Sequence, residues 1–333
     1  MLVFALEMTA PTVSVVISAY NGPETLEDSV RSVLDQDRCD FEVIVVDDGS
    51  TDETGEVLRA CARRDRRVRP LFLPHGGLTA ALIAGCDAAR GRYIARQDTG
   101  DQSLPERLSR QAGVLDAHPG VVAVTCHTVM AGPRDEVLYV SEIDQDRLNE
   151  SLKSAHPATL AGPSHHGSVM MRRDVYARVG GYRKQFYFAQ DLDLWTRLAE
   201  VGDFAVIPEA CYRARLDPGS ISAMQAPEQR RLKELIAKAS AARRSEGDEA
   251  YWLAQAATVR KVSDDRAMRR VAAGNYFIGS CLRARDPKAA ASYFRAAVEH
   301  DVRHWRAWAR FLECTIRGRL ARQSVGSAST GDA

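Results

Sequence analysis

Carboxylates cluster at two places where an apolar run stops. Val43-Ile44-Val45-Val46 leads into Asp47-Asp48-Gly49-Ser50-Thr51-Asp52, and Tyr93-Ile94-Ala95-Arg96 leads into Gln97-Asp98-Thr99-Gly100-Asp101. Acids at the end of a buried strand are costly unless they hold something. At the carboxyl ends of strands in an open α/β sheet, such acids accept hydrogen bonds from a nucleotide or ligate a cation. Asp47 and Asp48 are therefore binding candidates, whereas Asp52 and Ser50 read equally well as caps of the helix that follows. In the second cluster, two carboxylates within reach of one ion point to a hard cation, magnesium or manganese, that bridges nucleotide phosphates and neutralises a leaving diphosphate. The alternative is a loop with two solvated acids.

These acids need a scaffold. Strand-like and helix-like runs alternate over Val13 to Ser18, Glu24 to Leu34, Phe41 to Val46, Thr54 to Arg63, Val68 to Leu73, Leu78 to Ala89 and Tyr93 to Arg96. This rhythm predicts an α/β fold with a mostly parallel sheet flanked by helices. Asn21-Gly22 makes a turn and Pro23 sits where a first helical turn begins, so the first strand also ends in a loop on the ligand side. Gly76-Gly77 either brings backbone near a phosphate or merely turns the chain. Further on, a helix is expected from Pro105 to Ala117, a strand from Val121 to Val129 and a helix around Asp191 to Val201. After Ala226 alanine, arginine and glutamate recur with helical periodicity over 229–242, 250–262, 265–283, 287–300 and 303–317. The expected division is a sheet domain at 1–225, a helical domain at 226–323 and a disordered tail at 324–333.

Composition narrows the partners. Lysine and arginine total 45 against 44 acids, which argues against a nucleic-acid binder. The seven cysteines stand singly, with no Cys-x-x-Cys pair, so neither a zinc site nor a disulfide framework is expected and a reducing cytoplasm fits. Leu2 to Leu6 is too short to span a bilayer, as is every later apolar run, so a soluble chain is expected.

Four segments, Tyr20-Asn21-Gly22-Pro23-Glu24, Val46-Asp47-Asp48-Gly49-Ser50, Tyr93-Ile94-Ala95-Arg96-Gln97-Asp98 and Pro105-Glu106-Arg107-Leu108, resemble in order and spacing the donor half of the family-2 glycosyltransferases, inverting enzymes with a GT-A fold. His166-Gly167-Ser168-Val169-Met170-Met171-Arg172-Arg173, Gly180-Gly181-Tyr182 and Phe188-Ala189-Gln190-Asp191-Leu192-Asp193-Leu194-Trp195 resemble its acceptor half. The resemblance implies a nucleotide diphosphate sugar as donor, a UDP-sugar first. It implies that Asp48, with Asp47 beside it, holds nucleobase and ribose, and that Tyr20 and Glu24 supply first-loop contacts. Asp98 matches the first acid of the family's Asp-x-Asp metal motif, the second falls on Gly100, and the next carboxylate is Asp101; Asp98 and Asp101 are thus the expected ligands of magnesium or manganese. Relatives carry Glu-Asp where this chain has Gln190-Asp191, which makes Asp191 the expected general base toward an acceptor hydroxyl that attacks opposite the diphosphate. Asp191 reads also as an N-cap.

In Tyr212-Arg213-Ala214-Arg215 relatives often end on histidine. A guanidinium there, Arg213 or Arg215, would pair with donor phosphate oxygens, or else form a surface ion pair. His165 and His166 lack metal-like spacing and are expected to line the acceptor cleft or pack locally. The whole reads as a cytoplasmic glycosyltransferase of cell-surface polysaccharide or glycan biosynthesis, acting on a glycan or lipid-linked acceptor. Gly100, Gln190 and Arg215 support a competing reading, an inactive nucleotide-binding module joined to a helical interaction domain. A nucleotidyltransferase would want a glycine-rich basic loop after the first strand, and Tyr20-Asn21-Gly22-Pro23 is not one.

Two patterns remain in the helical segment. Ala290, Phe294 and Ala297 follow the spacing of the second helix of a tetratricopeptide repeat, with Tyr276 to Leu282 as its first. Trp305, Trp308, Ala309, Leu312 and Ile316 share one helical face, with Arg303, Arg306, Arg310 and Arg317 around it. Such a helix either rests on the anionic inner surface of a membrane or packs its aromatics into the domain.

Overall fold

The computed structural model describes residues 10–221, 227–259 and 267–328. In chain order the elements are β1 (Val13–Ala19), α1 (Pro23–Leu34), β2 (Phe41–Asp47), α2 (Thr54–Arg64), β3 (Val68–Phe72), α3 (Leu78–Asp87), β4 (Tyr93–Asp98), β5 (Gln102–Ser103), α4 (Arg107–Ala117), β6 (Val121–Ala131), β7 (Val137–Ser141), α5 (Gln145–Ser154), β8 (Met170–Arg172), α6 (Arg173–Arg178), α7 (Gln190–Ala199), β9 (Asp203–Arg215), α8 (Pro218–Ile221), α9 (Pro227–Arg244), α10 (Ala250–Thr258), α11 (Ala267–Leu282), α12 (Pro287–His300) and α13 (Trp305–Ala328). The strands join one sheet in the order β3-β2-β1-β4-β8-β6-β9-β5, with β7 on β6. The expected α/β fold is what forms.

β1 and β2 are apolar on both faces because helices cover both, the condition under which parallel strands lose alternation. β3-β2-β1-β4 pair in parallel, and β8 runs antiparallel to β4 and β6. Register matters most for function. Ala19 lies opposite Asp47 and Ser18 opposite Asp98, so the loops after β1, β2 and β4 open at one edge. Helix α3 lies close over this layer: a Cβ on Gly85 would stand 2.5 Å from Val16 Cγ1.

At the opposite edge Glu42 ties three strands together. Its carboxylate accepts from Ser14 Oγ at 2.7 Å, the Arg90 amide at 2.9 Å and Arg69 Nη1 at 2.6 Å. Burial opposes its charge, but the hydrogen bonds led by Arg90 and Ser14 outweigh burial and hold the carboxyl down at about 2, from 4.5. A lowered carboxylate stabilises the fold above its unfolded value and loses that contribution as pH falls through its folded value. Glu42→Gln is expected to cost about 2–3 kcal/mol at neutral pH, converging with the parent between pH 4.5 and about 2. Urea melts across that range check this, and parallel curves would refute it.

The chain divides into two compact units, Met1–Val129 with Val140–Ala214 and Arg230–Arg260, and Met130–Tyr139 with Arg215–Gln229 and Lys261–Ala333. The first holds most of the sheet together with α10 and most of α9. In the second, α11 and α12 pack through Phe294, whose ring lies 5.6 Å from that of Tyr276. Gly279 permits this approach, since a Cβ there would meet Phe294 Cε1 at 2.9 Å. Ala290, Phe294 and Ala297 are buried, as their spacing requires. Asp286 caps α12 by accepting the Ala289 amide, with Pro287 in the first turn.

The strand and helix edges move a little from expectation, and β5, β7, α5, β8, α6, β9 and α8 are additions. Helix α13 continues past Ser324 to Ala328, because extending an existing helix costs far less than nucleating one; 329–333 lie outside the described residues, as do 260–266, where two expected helices were to end and begin. Trp305 and Trp308 are exposed, which overturns their packing into the domain. No helix among the described residues is long and apolar enough to cross a membrane.

Candidate functional site

Two successive turns shape the first side of the crevice. Asn21 (φ 49) and Gly22 follow β1, and their amides donate to Ser50 Oγ at 3.0 Å and Thr54 Oγ1 at 2.9 Å, which lashes the first loop to the second. Asp47 Oδ1 accepts the Ser50 amide at 3.0 Å. Asp48 is buried, and its two oxygens accept the Gly76 and Gly77 amides, each at 2.8 Å. That resolves the reading of Gly76-Gly77: their amides serve Asp48. His75 Nδ1 lies 3.0 Å from both the Asp48 carbonyl and Asp48 Oδ2, and its ring stacks on Tyr20 at 4.2 Å. Gly49 (φ 71) is needed here, because a Cβ would strike the backbone nitrogen of His75 at 2.5 Å. Glu24 is exposed in the first turn of α1. Ser50 is taken by Asn21, and Asp52 accepts the Thr54 amide at 3.0 Å, while Glu53 holds the cap position of α2.

The second side is built on β4. Residues two apart on a strand share a face, and Arg96 and Asp98 use this to form an ion pair, with the guanidinium buried and the carboxylate 31 % exposed. Gly100 (φ 96) turns the chain in the left-handed region, where a side chain is disfavoured, and so brings Asp101 inward. Tyr212 Oη donates to Asp101 Oδ2 at 2.8 Å and accepts the Asp98 amide at 3.1 Å. Burial, then the charges of Asp101 and Asp98, push the Tyr212 phenol well above its ordinary range, so the hydroxyl remains a donor.

His165 Nδ1 lies 3.5 Å from Asp101 Oδ2 and 3.9 Å from Asp98 Oδ2. Ligand atoms of Asp98, Asp101 and His165 all lie within 4.8 Å of one another. Two carboxylates and an imidazole fit a divalent cation of the manganese type better than an all-oxygen magnesium site. Burial opposes the Asp98 charge, but Arg96 and then the two histidines outweigh it and hold the carboxyl at about 2, ionised and ready to ligate. His166 belongs elsewhere. Burial first, then Arg96, push it down to about 3, and it contacts Tyr182 Oη at 2.7 Å.

Asp191 stands in the first turn of α7, where a negative charge is favoured. It is not the N-cap: Ala189 holds that position, and Asp191 Oδ1 accepts the amide of its neighbour Leu192 at 2.8 Å. Burial raises its pKa above 3.8, and the Asp98 charge adds to the rise. The charge of the second acidic cluster is thus felt at Asp191. Beside it Gln190 Oε1 is buried without a hydrogen-bond partner among the described residues.

A fully buried guanidinium fastens this half. Arg107 donates to the Arg96 carbonyl at 2.8 Å and the Gly167 carbonyl at 2.7 Å, and its Cζ lies 4.7 Å from the centre of the Tyr212 ring. Gly167 has no room: a Cβ would lie 2.0 Å from Tyr212 Oη. Gly167→Ala is expected to cost about 1–3 kcal/mol of stability and to weaken manganese binding about tenfold or more by moving Tyr212 off Asp101. Calorimetric titration with manganese decides, and an unchanged affinity would show that Tyr212 does not position the acids.

Sequence reasoning named Asp98, Asp101 and Asp191, expected His165 in the acceptor cleft or packed locally where the structure sets it beside the two acids, and missed Arg96, Tyr212 and His75. The i, i+2 spacing of Arg96 and Asp98 was a usable signal. Arg213 lies opposite Gln102 in the β5–β9 register. Arg215 belongs to the second unit, where its guanidinium donates to the Pro133 carbonyl at 3.1 Å.

Comparison with known proteins gives a family. The profile described as Glycosyl transferase family 2 matches residues 14–180. The putative glycosyltransferase EpsE of Bacillus subtilis (strain 168) is 32 % identical over 63 % of this chain and 74 % of its own length. The putative teichuronic acid biosynthesis glycosyltransferase TuaG of the same organism is 32 % identical over 64 % of this chain and 82 % of its own. Among solved structures, the mannosyltransferase PcManGT from Pyrobaculum calidifontis, in complex with GDP-Man and Mn2+, superposes with a TM-score of 0.53 at 21 % identity, covering 93 % of this chain and 87 % of that one.

Proposed function

The chain belongs to glycosyl transferase family 2, and from that premise we propose that it moves a sugar from a nucleotide diphosphate sugar, a UDP-sugar first, to an acceptor hydroxyl with inversion. The acceptor class is a glycan or lipid-linked glycan of a cell-surface polysaccharide, in the cytoplasm; the names of TuaG and of the amylovoran biosynthesis glycosyltransferase AmsE support this reading. The observation that carries it is the gathering of Asp98, Asp101 and His165, together with a carboxylate, Asp191, whose proton affinity is raised by burial and by the charge of Asp98. Asp98, Asp101 and His165 would hold a divalent cation, which when bound neutralises charge on the departing diphosphate. Tyr20 and His75 form a stacked pair at the first loop on which a nucleobase edge can rest. Asp48 takes the Gly76 and Gly77 amides and Asp47 the Ser50 amide, which fixes the loops beside this pair where the nucleobase and ribose would lie. Asp191 takes the acceptor hydroxyl's proton as its oxygen attacks the anomeric carbon.

A panel of UDP- and GDP-sugars, assayed for thermal stabilisation and nucleotide release with and without manganese, tests this. One donor is expected to raise the melting temperature and to release nucleotide only with the cation. A donor that binds without release under any acceptor would leave the inactive-module reading, and no stabilisation by any donor would overturn both.

A further inference from the structure

We propose that α13 docks the chain on an anionic lipid surface, independently of the transferase reading. The stripe that faces solvent is large and apolar: Val302 is 72 % exposed, Trp305 69 %, Trp308 43 %, Leu312 55 % and Ile316 57 %. At 100° per residue, Trp305, Trp308, Leu312 and Ile316 fall within an arc of about 80°. The opposite face is already committed, since Ala307 and Cys314 are buried and Ala307 packs with Ala297 and Val298 of α12. The helix therefore cannot roll its stripe inward without unpacking that seam. Single exposed apolar residues are ordinary, but a continuous aromatic and aliphatic stripe is a binding surface.

Charge selects the partner. Arg303 and Arg306 form no ion pair among the described residues, and Arg306 lies over the Trp305 ring at 5.4 Å. Arg310 is held by Glu313 at 2.7 Å, farther around the helix. The Trp308 indole donates to the Val302 carbonyl at 3.1 Å, which leaves its apolar face presented and its polar edge satisfied. Indoles seated at the level of head groups, with guanidiniums beside them to meet lipid phosphates, are the chemistry of a helix lying in the plane of an anionic interface. A second copy of the chain would bring the same unpaired arginines against each other, so self-association is the poorer match.

Co-sedimentation of the full chain with vesicles tests the proposal. Binding is expected to phosphatidylcholine vesicles containing phosphatidylglycerol, to fall with salt, and to be weak on phosphatidylcholine alone. A Trp305→Ser, Trp308→Ser, Leu312→Ser variant is expected to bind at least about tenfold more weakly, and R303E with R306E to lose the anionic preference. All five positions are exposed, so unchanged thermal melts are expected to confirm intact folding. Equal binding of parent and variants, equal binding to neutral vesicles, or a concentration-dependent dimer that the triple variant abolishes would each overturn the proposal.

Discussion

Asp191→Asn is expected to lower kcat by about 10²–10⁴-fold, the usual worth of a positioned general base, while donor affinity holds. The amide can still accept the Leu192 amide through Oδ1, so the start of α7 should survive. The same substitution is expected to leave stability unchanged or slightly raised at neutral pH. Burial, with the charge of Asp98 behind it, raises the Asp191 pKa, so the fold prefers the protonated acid and stability falls as pH rises from 3.8 through the raised folded value. Removing that charge relieves the cost, a trade of stability for activity common at functional sites. For the parent, the acid limb of the kcat/KM profile should lie above the ordinary carboxylate value and vanish in the variant. Donor-saturated turnover and thermal melts read the two effects separately. Wild-type turnover in the variant would remove Asp191 from the mechanism, and a large loss of stability would make its role structural.

How much of this was legible depended on how local the cause was. The strands β1, β2 and β4 announce themselves by apolar runs suited to burial on both faces, and the acids at the ends of β2 and β4 mark where those runs stop. Asp101 was legible only as a carboxylate near Asp98, since what brings it in is a positive φ at Gly100 together with a hydroxyl 111 residues away in sequence. That hydroxyl arrives through the β5–β9 register, Ser103 opposite Tyr212, and a two-residue strand leaves no periodicity to read. His165 was hidden for a related reason. Its loop is drawn to the acids by the Arg96 amide bonding the Val169 carbonyl at 2.9 Å and by Arg107 bonding Gly167, contacts that no local pattern encodes. The solvent-facing stripe on α13 was legible as a face, but what would cover it was open until the packing of Ala307 and Cys314 fixed the helix's orientation.

Asp98→Asn should do two things that can be pulled apart. It removes one donor from the Asp98, Asp101 and His165 cluster, so cation-dependent turnover is expected to fall by about 100-fold or more. It also strands the Arg96 guanidinium, which is buried, carries an Nε without a hydrogen-bond partner and has Asp98 as its only ion pair among the described residues. Breaking a buried pair by removing one partner costs roughly 3–5 kcal/mol, and partial exposure of the carboxylate discounts this to about 2–3 kcal/mol. The acid's own contribution runs the other way from Asp191: with its pKa lowered to about 2, it stabilises above 3.8 and is lost as pH falls through about 2. A double substitution, Arg96→Met with Asp98→Asn, separates the roles, because it removes the stranded charge but cannot restore the ligand. Its melting temperature is expected to recover most of the single variant's loss while manganese titration still shows no tight site. If instead the single variant keeps full manganese dependence, the cation sits elsewhere, and Arg96 and Asp98 are a structural pair at the end of β4.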